Sequence, residues 1–458
     1  MTKKLLLAMA ILAAACATPP ALADEDGFSV HGQLRDRYEN FNNYTDFADT
    51  EDDDLDPNTP DNNDRHAFWA TRALIGIDGH LTDGVWVAID IQNVGTFGDR
   101  DPVGSGATFG TGMDQNFENG VSESDTSLYR AVIGLNEIGG SNLSVTIGRN
   151  NKTVGGGLIL GDEPFYNGNV FDGIDGTYKF ENWSLGGFRF VADENNDPAN
   201  AGVPGHEDTY LTGVTAGFGL PWESNLEVYV VNVYDGEAAN FKPEFNTIGG
   251  MWSRDAKEGG WDWMLQLAVQ SGDATNAAGT EFDIAGSVVD LNGGYTWANG
   301  VSHSIFGGLI AQSGDDDTTD DSFDAWHAIA PTTHGRFGNA DFFGAEFGVM
   351  DSGITAFHVG YAIADDDDRH KGWVKLWNFS PTEDSIETGA SNPVEIEDFG
   401  TEIDLGYSYK YGDVVKLFAA VAQLSPDDGL TGGGADDGVM RFYAGATVMF
   451  GGEKEMAK

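Results

Sequence analysis

The chain has almost no cysteine: the only one, Cys16, lies inside an apparent leader. Once that leader is removed, the mature chain can form neither a disulfide nor a thiolate metal site. The leader reads MTKKLLLAMAILAAACATPPALADEDG, with Lys3 and Lys4, an apolar run from Leu5 to Ala15, and Ala21-Leu22-Ala23 before acidic residues. This is the pattern of a secretory signal, with cleavage expected after Ala23. The Ala13-Ala14-Ala15 preceding Cys16 makes a poor lipoprotein box, and the better site lies downstream. Beyond the leader no run approaches the ~20 apolar residues that a membrane helix requires, which excludes a helical membrane protein. Positive charge is scarce as well: 24 Lys and Arg stand against 74 Asp and Glu, a net charge of -50. No stretch has the form of a phosphate loop, a zinc constellation or a nucleic-acid surface, so no nucleic-acid partner is expected.

Alternation is abundant instead. From Phe28 onward, about ten alternating residues, a tight turn, another alternating stretch and a longer polar segment follow one another repeatedly. HAFWATRALIGIDGHL (66–81) turns at Thr82-Asp83-Gly84 into VWVAIDIQNV (85–94), and SLYRAVIGLN (127–136) turns at Gly139-Gly140 into LSVTIGRN (143–150). Period two bounded by Gly, Asn and Asp means antiparallel strands. Short turns alternate with long connections, notably 42–64, 98–125, 151–170, 313–352 and 381–398. That is the layout of an all-β transmembrane barrel, with short periplasmic turns and long external loops. About eighteen strands are expected between residues 24 and 458, with both termini periplasmic, outer-membrane lipid outside, and barrel-assembly machinery recognising the aromatic terminal strand 440–450. The stretch 339–350 is assigned to an external or inward-folded loop, because a nineteenth strand would place the C-terminus outside. Segments 151–170 and 313–352 are expected to fold into or over the external mouth. Gly155-Gly156-Gly157 permits tight turns there, and Phe337, Phe342 and Phe343 are costly to leave in water. The strands' second face, with its Gly, Thr, Gln and charge, reads as too polar for a dry core.

Parity then assigns the strand charges. In FSVHGQLRDRYENF (28–41), Arg35 and Arg37 share a face with His31, Gln33 and Glu39, opposite Val30, Leu34 and Tyr38. The same argument turns Arg72, Arg130, Lys179, Arg189, Lys375, Lys416 and Arg441 inward. A cation at the lipid midplane costs about 2–4 kcal/mol, so inward cations by themselves indicate only a barrel. Their number says more. Nine inward bases meet eight inward acids (Glu39, Asp78, Asp90, Asp175, Asp262, Asp290, Glu402 and Asp404), although the whole chain is strongly acidic. Basic residues are therefore concentrated at the pore wall. The surplus acid lies in loops such as 46–64 and GDDDTTDDSFD (314–324). These are expected to be solvated surface, with Ca²⁺ as the alternative ligand and no other cofactor.

Three stretches resemble the alginate-export family of outer-membrane porins. They are VTIGRNNKTVGGGLILGDEPFYNGNVFDGIDGTY (145–178), FDAWHAIAPTTHGRFGNADFFG (323–344) and GTEIDLGYSYKYG (400–412). The resemblance implies an 18-stranded barrel whose basic lumen conducts an anionic uronate polysaccharide past constricting inner loops. It also implies that Arg149 stands at the constriction with Lys152 beside it.

The expected function is passive passage of an anionic polysaccharide, oligosaccharide or other organic anion, with lumen currents favouring anions or nearly unselective. A general diffusion porin is the alternative. Catalysis is not expected: His303 lies between Ser302 and Ser304, which point to the opposite face, and His327 and His334 lie in a loop without an evident partner. Alternation beginning at Phe28 leaves no room for an energy-coupling plug.

Overall fold

The computed structural model describes residues 27–43, 66–97, 124–193, 208–235, 241–255, 259–276, 279–317, 320–344, 352–383, 385–386, 394–395, 398–427, 430 and 437–451. The leader and the acidic segment 46–64 lie outside the described residues. Eighteen strands form the wall: Phe28–Asn42, His66–Thr82, Val85–Phe97, Ser124–Leu135, Leu143–Asn150, Phe171–Lys179, Trp183–Asp193, Thr209–Leu220, Ser224–Asp235, Phe241–Arg254, Gly260–Asn276, Ser287–Ala298, Ser302–Gln312, Ile354–Ala364, His370–Ser380, Gly400–Tyr411, Val415–Pro426 and Val439–Phe450. Each pairs antiparallel with the next. The first strand also pairs with the last, from Gly32 opposite Phe450 to Asn42 opposite Met440. Closure leaves no unpaired strand edge, which a sheet surrounded by lipid requires.

The outer face is apolar. Ile89, Ile133, Val214, Leu267, Ile305, Phe357 and Leu376 are each about half exposed. At the short-turn end this face carries an aromatic belt, in which Trp297 stacks on His303 and the His303 Nδ1 lies 2.6 Å from the Tyr361 hydroxyl. His303 is thus an interfacial ring on the outer wall. The acidic segment 314–324 folds on itself in part: the Asp315 carboxylate accepts from the Asp317 amide and that of Asp320 from the Ser322 amide.

The interior departs from a uniformly polar lumen. Phe188, Phe190, Leu211, Tyr229, Val231 and Phe245 point inward and are buried, together with Val154, Leu158, Ile159 and Leu160 of the loop after strand 143–150. A second apolar contact forms where Phe343 packs on Phe379 and Phe399 at 4.6 and 5.7 Å between ring centres. Both long loops have entered the barrel, and alternation reads their wall partners as half of an amphipathic strand without revealing what covers them. The first loop turns at Gly155, Gly156 and Gly157, all in the left-handed region with φ of 60°, 56° and 84°. A Cβ on Gly155 would stand 2.3 Å from the Gln266 Nε2. Inside the barrel the loops join: the Gly161 amide donates to the Ala330 carbonyl (2.8 Å) and the Thr332 amide to the Gly157 carbonyl (2.8 Å).

Candidate functional site

The first strand delivers its arginines to a loop. Arg35 donates from Nη1 to the Pro164 carbonyl (2.7 Å) and from Nη2 to the Tyr166 carbonyl (3.0 Å). Arg37 donates from Nη1 to the Phe165 carbonyl (2.8 Å), and its guanidinium lies 3.6 Å from the centre of the Phe165 ring. On the adjacent strand Arg72 reaches the Pro164 carbonyl (3.3 Å) and the Gln92 Oε1 (3.1 Å), while Gln92 Nε2 donates to the Asn167 carbonyl (3.0 Å). The three arginines are at most 8% exposed. They satisfy the carbonyls of a partly buried turn that has no secondary-structure ladder of its own.

The tip of the second loop is held by groups of opposite sign. Asp404 accepts from the Asn339 amide (3.3 Å), the Asn339 Nδ2 (2.9 Å) and the Trp377 indole (2.9 Å), and Glu402 accepts from the Ala340 amide (3.0 Å). Asp341 accepts from the Tyr166 hydroxyl (2.5 Å), the Gly335 amide (2.8 Å) and Arg441. Arg441 also donates to Glu39 (2.8 Å) and the Asn339 carbonyl (3.2 Å). Glu163 of the first loop accepts from the Thr333 amide and hydroxyl of the second. His334, contrary to the sequence expectation, has a partner: Nδ1 lies 2.6 Å from Asp341, and its ring stacks on Phe165 at 3.3 Å. Burial pushes this imidazole down against the pull of Asp341. Burial alone would raise the Asp341 carboxyl, but His334 and Arg441 together hold it well below the usual carboxylate range. His327 in the same loop is pushed down to about 4 by burial.

Other inward charges divide into pairs and free cations. Arg130 meets Asp78 (2.8 Å) and Asp90 (2.9 Å), with His31 against the same two carboxylates. Lys152 meets Asp175 at 2.7 Å and Arg336 meets Asp290 at 3.4 Å. Lys179 and Lys416 face inward by register and are exposed at the short-turn end. Lys375 has no hydrogen-bond or ion-pair partner among the described residues. Its ammonium lies over Trp373 and Trp377 at 5.7 and 5.5 Å. Beside it is a cavity of about 260 Å³ between wall and second loop, lined among others by Asp290, Asn292, His334, Arg336, Lys375 and Trp377.

Two expected lumen residues face the other way. Arg149 pairs in register with Ala131 and Asp172, and Arg189 with Ile174 and Thr212, all on the outer face. For Arg189 the expectation failed because its neighbours Phe188 and Phe190 cover the inward loop rather than lipid. For Arg149 the inward neighbours are Gly148 and Asn150, so the arginine stands outside the constriction. Arg130 keeps its inward place only through a bulge: Asp90 pairs with Arg130 but Ile91 with Leu128, which leaves Tyr129 inward as well, 5.0 Å from the Arg72 guanidinium. Sequence reading passed over Arg336, although it is the only Lys or Arg between residues 313 and 352. Trp377 and Asn292 carried no such signal.

No family model and no curated protein matches the chain. Solved structures do match. Pseudomonas aeruginosa OpdK with vanillate is 13% identical with a TM-score of 0.57, covering 93% of this chain and 99% of that one. OccK9 (OpdG) of the same organism is 15% identical with a TM-score of 0.56, covering 92% and 98%. OccK3 (OpdO) is 10% identical with a TM-score of 0.55, covering 94% and 97%. At these identities the likeness is one of fold. The chain is an eighteen-stranded antiparallel barrel of the outer-membrane type. The resemblance to the alginate-export family finds no support in these comparisons.

Proposed function

We propose that this barrel is a passive channel for small organic anions, which pause in the cavity bounded by Lys375, Arg336, Asn292 and Trp377. The unpaired ammonium of Lys375 carries the reading. A cation inside the barrel that touches no carboxylate, its cross-strand neighbour Asp404 being engaged by Asn339 and Trp377, keeps part of its attraction for a passing anion, whereas Arg35, Arg37 and Arg72 are already occupied by loop carbonyls. Trp373 and Trp377 add apolar faces beside the charge. A cavity of about 260 Å³ lies just below the range of small-molecule sites, ~300–1,000 Å³. The two loops joined across the lumen favour a compact carboxylate over a polysaccharide chain, and vanillate, present in the OpdK structure, is a compact carboxylate. Asp290, which lines the same cavity, and Asp404, across the strand from Lys375, weaken retention, and a channel must release what it captures.

Proteoliposome swelling with benzoate and with neutral sugars of similar size tests this. Benzoate is expected to enter faster, and Lys375→Gln to remove most of that advantage without slowing the sugars. Equal entry of charged and neutral solutes in the unmodified barrel would make it a general diffusion porin.

A further inference from the structure

Two of the outward arginines, Arg149 and Arg189, have no role in the lumen and occupy one sector of the external rim. Arg149 is the penultimate residue of strand Leu143–Asn150, and Asp172 beside it is the second residue of strand Phe171–Lys179. Arg189 sits on the next strand, level with Ile174. The guanidinium of Arg189 lies 4.5 Å from the ring centre of Tyr210, which is the second residue of its own strand, and donates to the Thr212 Oγ1 (3.3 Å). The side chain therefore climbs from among lipid-facing Ile174, Leu185 and Val214 toward the rim, as an interfacial cation does. Arg149 is held by Asp172, its Nε donating at 3.0 Å. Asp208, bonded to the Tyr210 hydroxyl at 3.0 Å, and the exposed Glu244, level with Tyr210 through Tyr234, are further described acids at this rim. Arg189 makes no ion pair among the described residues.

We infer that this rim binds the phosphorylated headgroup of an outer-leaflet lipid. Two strand spacings of ~4.8 Å separate the arginine-bearing strands, and the Arg189 guanidinium leans toward Tyr210 and Thr212 on the following strand, so the two guanidinium groups stand about 12–14 Å apart around the wall, a span that two phosphates of one headgroup can bridge. Phosphate oxygens match the bidentate fork of arginine. In a chain of net charge -50, an unpaired cation at the headgroup level supplies the local attraction that the bulk of the protein opposes. Arg189 provides the uncompensated charge, and Arg149, fixed by Asp172, provides the second donor.

The full barrel in neutral detergent, titrated with a bisphosphorylated glucosamine lipid and with the same lipid after dephosphorylation, provides the test, with bound lipid counted by native mass spectrometry. The phosphorylated form is expected to bind about tenfold more tightly, and R189Q with R149Q to erase that preference. R254Q, an outward arginine over Trp263 at the opposite rim, is expected to leave it unchanged. Heat-shifted gel mobility shows that each variant has formed its barrel. Equal binding of both lipids, a preference that survives R189Q with R149Q, or one that depends on Arg254, would overturn the proposal.

Discussion

From Pro164 to Asn167 the first inward loop presents carbonyl oxygens, and the wall meets them with donors from Arg35, Arg37, Arg72 and Gln92. At Asn339 and Ala340 the second loop presents amide groups, and the wall meets them with the carboxylates of Glu402 and Asp404. The same barrel thus uses positive wall patches for one loop and negative patches for the other, each matched to the backbone polarity it must satisfy. A count of lumen charges therefore does not measure ion preference. Much of that charge is neutralised by the loops it holds, and permeating ions respond to what is left.

The comparison breaks most completely at Arg441, which serves both loops. It is fully buried and bonds Glu39, the Tyr166 hydroxyl of the first loop (3.2 Å), and Asp341 and the Asn339 carbonyl of the second. Arg441→Ala leaves two buried carboxylates short of their cation, a loss of about 3–5 kcal/mol. Single-channel recording is expected to show a larger, noisier conductance, with a lower unfolding temperature of the barrel. Arg35→Gln separates the loops. It removes charge-assisted bonds to the first loop alone, worth about 1.5–3 kcal/mol, so limited proteolysis should cut near 164–167 before 333–341. Asp404→Asn is the converse, exchanging one acceptor oxygen for a donor against the Asn339 amide at about 1–3 kcal/mol. Cleavage order should invert.

The smallest effect is pH dependence, and it sharpens the contrast. His327 is pushed down to about 4 and His334 is also lowered, so both bind protons more readily when their loop is released. Their contribution is fully present above the unfolded value of about 6.5 and falls as pH drops from there toward 4, because the released state takes up more protons. The second loop should loosen over this window while the grip of arginines on carbonyls in the first does not titrate. Hydrogen exchange of the Gly335 and Ala340 amides, compared with that of the Leu158 and Asn169 amides, which are bonded within the first loop to Gly155 and Asp162, between pH 7 and 5 checks this. Faster exchange in both loops alike would remove the distinction.

The barrel was legible because lipid enforces alternation on every strand, and the triple glycine and the phenylalanines of 337–343 marked the loops that turn inward. Arg35, Arg37, Arg72 and Arg441 were placed on the correct face. Their partners were not legible, because backbone carbonyls 92 or more residues away leave no trace in composition. Arg189 was misplaced by the rule that serves elsewhere: an apolar neighbour indicates lipid only if nothing apolar fills the lumen, and here Leu158, Ile159 and Leu160 do. The bulge that keeps Arg130 inward is likewise set by pairing with the Asp90 strand rather than by any local signal.

The central claim is that the wall arginines hold loops while Lys375 meets the permeating anion. Reversal potentials in a potassium chloride gradient, measured with Arg35→Gln and Lys375→Gln side by side in planar bilayers, test it most directly. The account predicts that Lys375→Gln shifts the reversal potential toward cations at nearly unchanged conductance, while Arg35→Gln raises conductance with a much smaller shift. A large selectivity change in Arg35→Gln together with none in Lys375→Gln would contradict it.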